Sequence, residues 1–169
     1  STSRDHRGLV LVVMAIALTW FVTPAFARNH PISLKGHWHA DISRSVAPYG
    51  VSPRSVALNI LVDDGHYFES QETQVRRDRR ITIETTKARV DGKFYQVLGS
   101  PNNISVAITS WRPGFVRMNF IALNGLRSVE ICKLSSNFNT MICDERDTNR
   151  QGKITLSRSV YTRDLPTPR

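Results

Sequence analysis

Histidines, carboxylates, arginines and cysteines are the chemistry-bearing residues of this chain, and their spacing limits what they can do. His37 and His39 stand two apart around Trp38, so on a strand they share one face. With His30 or His66 as a third ligand they would form the minimum set for a metal. Solvated imidazoles beside a core indole are the simpler reading, and no metal is expected. The closest carboxylates, Asp63-Asp64 and Asp144-Glu145-Asp147, adjoin turn signals. Acid–base work needs burial and a fixed separation, so both sets are expected in solvent. No Gly-x-Ser-x-Gly elbow, zinc-protease His-Glu-x-x-His or phosphate-binding loop occurs. No nucleophile has a base at motif spacing. The expectation is a protein that is not an enzyme and carries no cofactor.

Arg76, Arg77, Arg79 and Arg80 flank Asp78 between two strand-like runs. They read as a solvated hairpin end or as a patch that docks on anionic envelope lipid or polysaccharide, since arginines hold phosphate and carboxylate with forked hydrogen bonds. The formal charge of +9 favours the same surroundings. Cys132 and Cys143 are the two cysteines. A turn centred on Asn137-Phe138 sets them opposite one another on adjacent strands, within disulfide reach. Such a bond closes a loop worth about 3 kcal/mol.

At the front, Arg4 and Arg7 precede an apolar run from Gly8 to Val22, followed by Thr23-Pro24-Ala25-Phe26-Ala27. A positive start, a short apolar core and small residues before a cut describe a secretory signal peptide over residues 1–27, cleaved near Ala27. The run is shorter than the roughly 20 residues of a spanning helix. A periplasmic or secreted product is expected, which suits a disulfide and argues against nucleic acid as a partner.

Beyond an exposed leader at 28–33, residues 34–165 alternate apolar and polar side chains between turn signals, and 166–169 form a tail. Val56, Leu58, Ile60 and Val62 share one parity, as do Val116, Met118, Phe120 and Ala122, and again Ile154, Leu156 and Val160. Asp91-Gly92, Gly99-Ser100-Pro101 and Asn124-Gly125 punctuate the runs. Period 2 without sustained 3.6 periodicity predicts an all-β domain. Sequential hairpins predict an antiparallel up-and-down barrel of about 8–10 strands, which leaves no open edge. The segment Ser43 to Pro53, with two prolines and Gly50, is placed over one mouth. If the barrel is hollow, Met118 and Phe120 line it. Arg158 shares the parity of Leu156 and Val160, a costly place unless it meets an acid, a ring face or a ligand carboxylate.

Leu34-Lys35-Gly36-His37-Trp38 resembles the first strand of lipocalin-like (calycin) barrels. Further stretches resemble small exported bacterial lipocalin-like proteins of unknown function: Ser43-Arg44-Ser45, Ser52-Pro53-Arg54-Ser55, Asp91-Gly92-Lys93-Phe94-Tyr95-Gln96-Val97-Leu98-Gly99-Ser100-Pro101 and Val160-Tyr161. The resemblance implies a barrel closed at one end by Trp38, with an arginine of the last strand packed across it. Arg158 and Arg163 are the candidates, and Arg163 falls on the opposite parity. The second lipocalin signature is absent.

The function expected is a monomeric, non-catalytic barrel binding a small apolar or amphipathic ligand, anionic ones included, through Trp38, Met118, Phe120 and Arg158. The alternatives are an exported protease inhibitor acting through Arg28 to Ser33, and a solid envelope or stress barrel.

Overall fold

The computed structural model describes residues 32–48 and 52–164. The signal segment 1–27, the leader as far as Pro31 with His30, and the tail 166–169 lie outside the described residues. Ten strands follow in chain order: β1 (Gly36–Ala40), β2 (Ser55–Asp63), β3 (Tyr67–Val75), β4 (Ile81–Arg89), β5 (Tyr95–Gln96), β6 (Ser105–Arg112), β7 (Phe115–Ile121), β8 (Arg127–Leu134), β9 (Thr140–Thr148) and β10 (Ile154–Arg163). Every pairing is antiparallel, and β10 returns to β1, so the wall runs β4-β3-β2-β1-β10-β9-β8-β7-β6-β5. The last seam is stitched beyond β5. Thr85 N donates to Leu98 O at 2.8 Å, and Leu98 N donates to Thr85 O at 2.9 Å. Gly99 makes this closure possible, because at φ +79° a Cβ there would stand 2.2 Å from the Ile83 carbonyl oxygen. The result is a nearly closed up-and-down barrel, as the alternation predicted.

Register decides which residues point inward. In β7 the inward row is Val116, Met118 and Phe120, as expected. In β10 the expected face is reversed. Ile154 and Leu156 are 47% and 68% exposed, and the inward row is Thr155, Ser157, Ser159 and Tyr161. Val160 is buried on the outer side, where the chain after β1 folds over it: Asp41 N donates to Val160 O at 2.7 Å, and Val46 pairs with Arg158. The reversal follows from the neighbouring hairpin. Cys132 and Cys143 are bonded and directly opposite, with Cα atoms 4.0 Å apart. Cys143 in turn faces Ser159, so the buried disulfide pulls the odd residues of β10 inside.

One end of the barrel is plugged. Trp38 is 1% exposed and its indole N–H donates to Leu34 O at 2.8 Å. Arg163, not Arg158, covers it. The Arg163 guanidinium lies 4.3 Å from the ring centroid, donating to Lys35 O and Ser33 O at 2.8 Å each. Gly36 sits at φ +145°, and a Cβ there would approach the guanidinium to 3.3 Å. Asp63 is not the solvated turn acid expected. It accepts from Ser33 Oγ at 3.0 Å, Leu34 N at 2.7 Å and the Trp111 indole N–H at 2.6 Å, tying the leader to β2 and β6. Asp64 does cap its turn, accepting from His66 N and Tyr67 N.

Arg163→Ala is expected to cost about 1–2 kcal/mol in urea unfolding, from the lost ring contact and the carbonyls left without donors. Arg158→Ala is expected to leave the midpoint unchanged. Equal losses would place the cap wrongly.

Candidate functional site

The Asp63 end of β2 is plugged, so the barrel opens at the Ser55 end, beside the β3–β4, β7–β8 and β9–β10 turns. A cavity of about 340 Å³ runs inward from there, within the usual size of a small-molecule site. Val46, Ala47, Pro48, Ser52 and Pro53 line its outer part, so the described residues of the Ser43–Pro53 segment do border the mouth. Leu34, Ile60, Phe68, Val116 and Cys132 form the apolar floor, and Leu58, Met118 and Phe120 flank the middle.

The rest of the lining is acidic. Strand pairing sets Glu72 opposite Glu84 across β3 and β4, and Glu130 opposite Glu145 across β8 and β9. Asp147 lies one inward position from Glu145. All five carboxyl groups line the cavity. Of the five glutamates in the chain, only Glu69 points outward, where it pairs with Lys87 at 3.0 Å. Like charges directly opposite in a sheet destabilise it, and among the described residues no lysine or histidine borders the cavity.

Few donors meet these acids. Ser128 Oγ donates to Asp147 in a short hydrogen bond, and Ser157 Oγ donates to Glu145 at 3.3 Å. Glu130 Oε1 lies 3.3 Å from Cys132 Sγ, but a disulfide sulfur has no proton to give. Burial therefore dominates the electrostatics. It pushes Glu72 up to about 7, helped by Glu84 and opposed by the Tyr161 hydroxyl. It pushes Glu145 up to about 7, with Asp147 adding to it. Glu130 is raised well above the carboxyl range by burial and then by Glu145, Glu72 and Asp147, so the β3 and β8 acids sense one another across the lumen. Burial also raises Glu84. Tyr161 is raised well above its usual value by burial and by Glu72, Glu130 and Glu145.

The residues singled out in the sequence divide. Met118 and Phe120 line the cavity, whereas Trp38 does not and belongs to the plug beneath it. Arg158 is on the outer face. It holds Asp144 through Nε at 2.5 Å and Nη2 at 3.0 Å, and only borders the mouth. Glu145 and Asp147, expected in solvent, are inside because β9 continues to Thr148 before the turn. Arg76, Arg77, Arg79 and Arg80 form the β3–β4 hairpin at the open end. Arg80 pairs with Asp78 at 2.5 Å, and Arg77 Nε donates to Ser52 O at 3.3 Å. His37 and His66 are exposed, and His39 pairs at the surface with Asp164 at 2.7 Å, so the described histidines do not meet. The one metal-like grouping among the described residues is Glu130 with Cys132 and Cys143, whose sulfurs are bonded to each other and offer no thiolate. A signal for the acids was present: Glu130 shares parity with Cys132, and Glu145 with Cys143.

No protein family model and no curated protein sequence matches the chain. Among solved structures, a mutant of the fluorescent protein UnaG aligns at 12% identity and a TM-score of 0.53, covering 79% of this chain and 97% of that one. Zebrafish ileal bile acid-binding protein, complexed with cholic acid, aligns at 9% identity and a TM-score of 0.43, covering 77% and 98%. The first likeness places the fold among the lipocalin-like, or calycin, barrels, and at such identity it speaks to fold alone.

The raised glutamates set a pH dependence. Their folded values lie above the ordinary 4.5, so between that value and about 7 the folded state holds more protons than the unfolded one. Stability then falls as pH rises through the window. Asp41, Asp64 and Asp144 are held below the usual range by hydrogen bonds, and act only at lower pH. The melting midpoint is expected to be lower at about pH 8 than at about pH 5.5, with Glu72→Gln and Glu145→Gln each raising the pH 8 value. A midpoint that climbs with pH would contradict the assignment.

Proposed function

We propose that this chain is a non-catalytic, exported binding protein that holds a small apolar or amphipathic molecule inside its barrel. The observation that carries the reading is the cavity itself: about 340 Å³ of space between an apolar floor and a polar upper wall. A solid barrel would have filled that space with side chains. An inhibitor working through Arg28 to Ser33 needs no interior, and Ser33 is held by Asp63 and Arg163 rather than presented.

Export rests on the residue 1–27 pattern and is supported by the disulfide, which suits an oxidising compartment. The hairpin arginines Arg76, Arg77, Arg79 and Arg80 stand beside the open end, a position that suits docking on anionic envelope lipid or polysaccharide at the mouth. Catalysis is disfavoured by the lining: Ser128 meets a carboxylate with no imidazole or amine between them. An anionic ligand group is the one part of the sequence expectation that the lining opposes, since its acids would repel it and Arg158 is already paired outside.

Nile red, a neutral dye that brightens in apolar sites, should bind one per chain. Met118→Trp, which fills the middle of the cavity, should weaken it at least about tenfold while leaving the melting midpoint near wild type. No dye uptake, with a native mass equal to the bare chain, would move the reading to the solid barrel.

A further inference from the structure

Five carboxyl groups line an interior in which none of the described residues supplies a lysine or histidine, and a purely apolar guest gives them no role. A barrel needing only to solubilise an apolar body has no use for inward glutamates, each of which resists desolvation. Replacing them with serine or threonine would keep the strands and remove the repulsion. Here Glu130 is a partly buried side chain on the cavity wall, and among the described residues no proton donor lies within hydrogen-bond distance of its carboxyl group. A carboxylate drawn partly out of water with no donor beside it is costly to keep charged. Glu130 is the second member of a row that runs Met118, Glu130, Glu145 and Ser157 across four strands, with Glu72 facing it across the lumen. Apolar surface and acceptors therefore lie side by side.

From this geometry we infer that the cavity takes an organic cation, an ammonium or amidinium group on an apolar body, with Glu130, Glu145 and Glu72 around the charged head and Met118, Phe120 and Leu58 around the body. This rests on the ligand-binding reading and adds the ligand's charge. An ammonium head offers the donors that Glu130 lacks and neutralises the glutamate pairs in a place where charge is little screened. A metal ion fits less well. Among the described residues no three of these carboxyl groups bring oxygens within 4.8 Å of one another, so they surround a volume instead of converging on a point as a divalent cation requires. The arginines of the β3–β4 hairpin stand outside at the mouth, where salt screens them. They act on approach and not on the bound head.

A bound cation also favours the charged form of the carboxyl groups that face it: Glu72 from β3, Glu84 from β4, Glu130 from β8, and Glu145 and Asp147 from β9. Tyr161 from β10 stays protonated as a donor. Binding should thus release protons, and tighten with rising pH.

The test is calorimetric titration of the purified protein with octylammonium, octanol and octanoate, which share a body and differ in head. At about pH 8, octylammonium should bind at least about tenfold tighter than octanol, with octanoate weakest. Its affinity should fall at about pH 5.5, where the glutamates hold protons, while that of octanol stays. Glu72→Gln, Glu130→Gln and Glu145→Gln combined, which remove charge with little change of volume, should erase the octylammonium preference and leave octanol binding intact. Octanol or octanoate binding as tightly as octylammonium would overturn the cation and leave the ligand-binding reading standing. A preference that survives the triple substitution would overturn the assignment of the head to the lumen acids. Binding of none of the three would remove the ligand-binding reading along with the inference.

Discussion

A carboxyl group taken out of water must keep a proton, find a cation or remain wet, and four of the five glutamates of this chain face that choice inside one barrel. Desolvating an unpaired charge costs far more than any one strand contact returns, so the interior cannot collapse onto these groups as it does onto Phe68 or Val116. The cavity follows from that. The chain has 23 lysines and arginines, but those near the lumen sit at its limits, Arg163 over the plug and Arg158 at the rim. With no internal base among the described residues, neutrality comes from protons or from a guest. The same constraint accounts for the outward turn of Ile81, Ile83, Ile154 and Leu156, which are 47–68% exposed: their strands spend the inward face on glutamate, serine and threonine.

The barrel can tolerate such an interior because its other end is tightly made. Trp38 fills the base, Arg163 stacks on it and ties the last strand to the leader, and Asp63 holds Ser33, Leu34 and Trp111 together. The Cys132–Cys143 bond adds a covalent tie just beneath the acidic rows. Stability is thus concentrated at the Trp38 end. The open end has the loops, the arginine hairpin and the space. That separation suits a protein whose upper half must accept a guest without risking the fold.

Strand periodicity, the hairpin carrying the cysteines and the Gly36-His37-Trp38 start made the architecture legible in the sequence, because each depends on neighbours close along the chain. The inward face of β7 was legible for the same reason. The face of β10 was not, because parity alone cannot tell inside from outside when the interior is polar. Leu156 looked like core and is among the most exposed apolar residues, and Arg158 was carried inside with it. The acidic site was hidden in a related way. Glu72, Glu84, Glu130 and Glu145 are scattered along the sequence and become neighbours only through register between distant strands. The cysteine parity that placed the disulfide also placed Glu130 and Glu145 beside it. Arg163 was the harder assignment, since it required knowing that the whole of β10 presents its odd residues to the lumen.

The most direct measurement is a carbon-13 NMR titration of the glutamate side-chain carboxyl groups in the ligand-free protein, with Glu69 as the outward reference. Glu72 and Glu145 should titrate near 7, and Glu130 should titrate well above the ordinary carboxyl value, raised by burial and by Glu145. Four lumen glutamates that all titrate near the ordinary 4.5 would mean a wet and freely charged interior, and would contradict the enclosed acidic site on which the account stands.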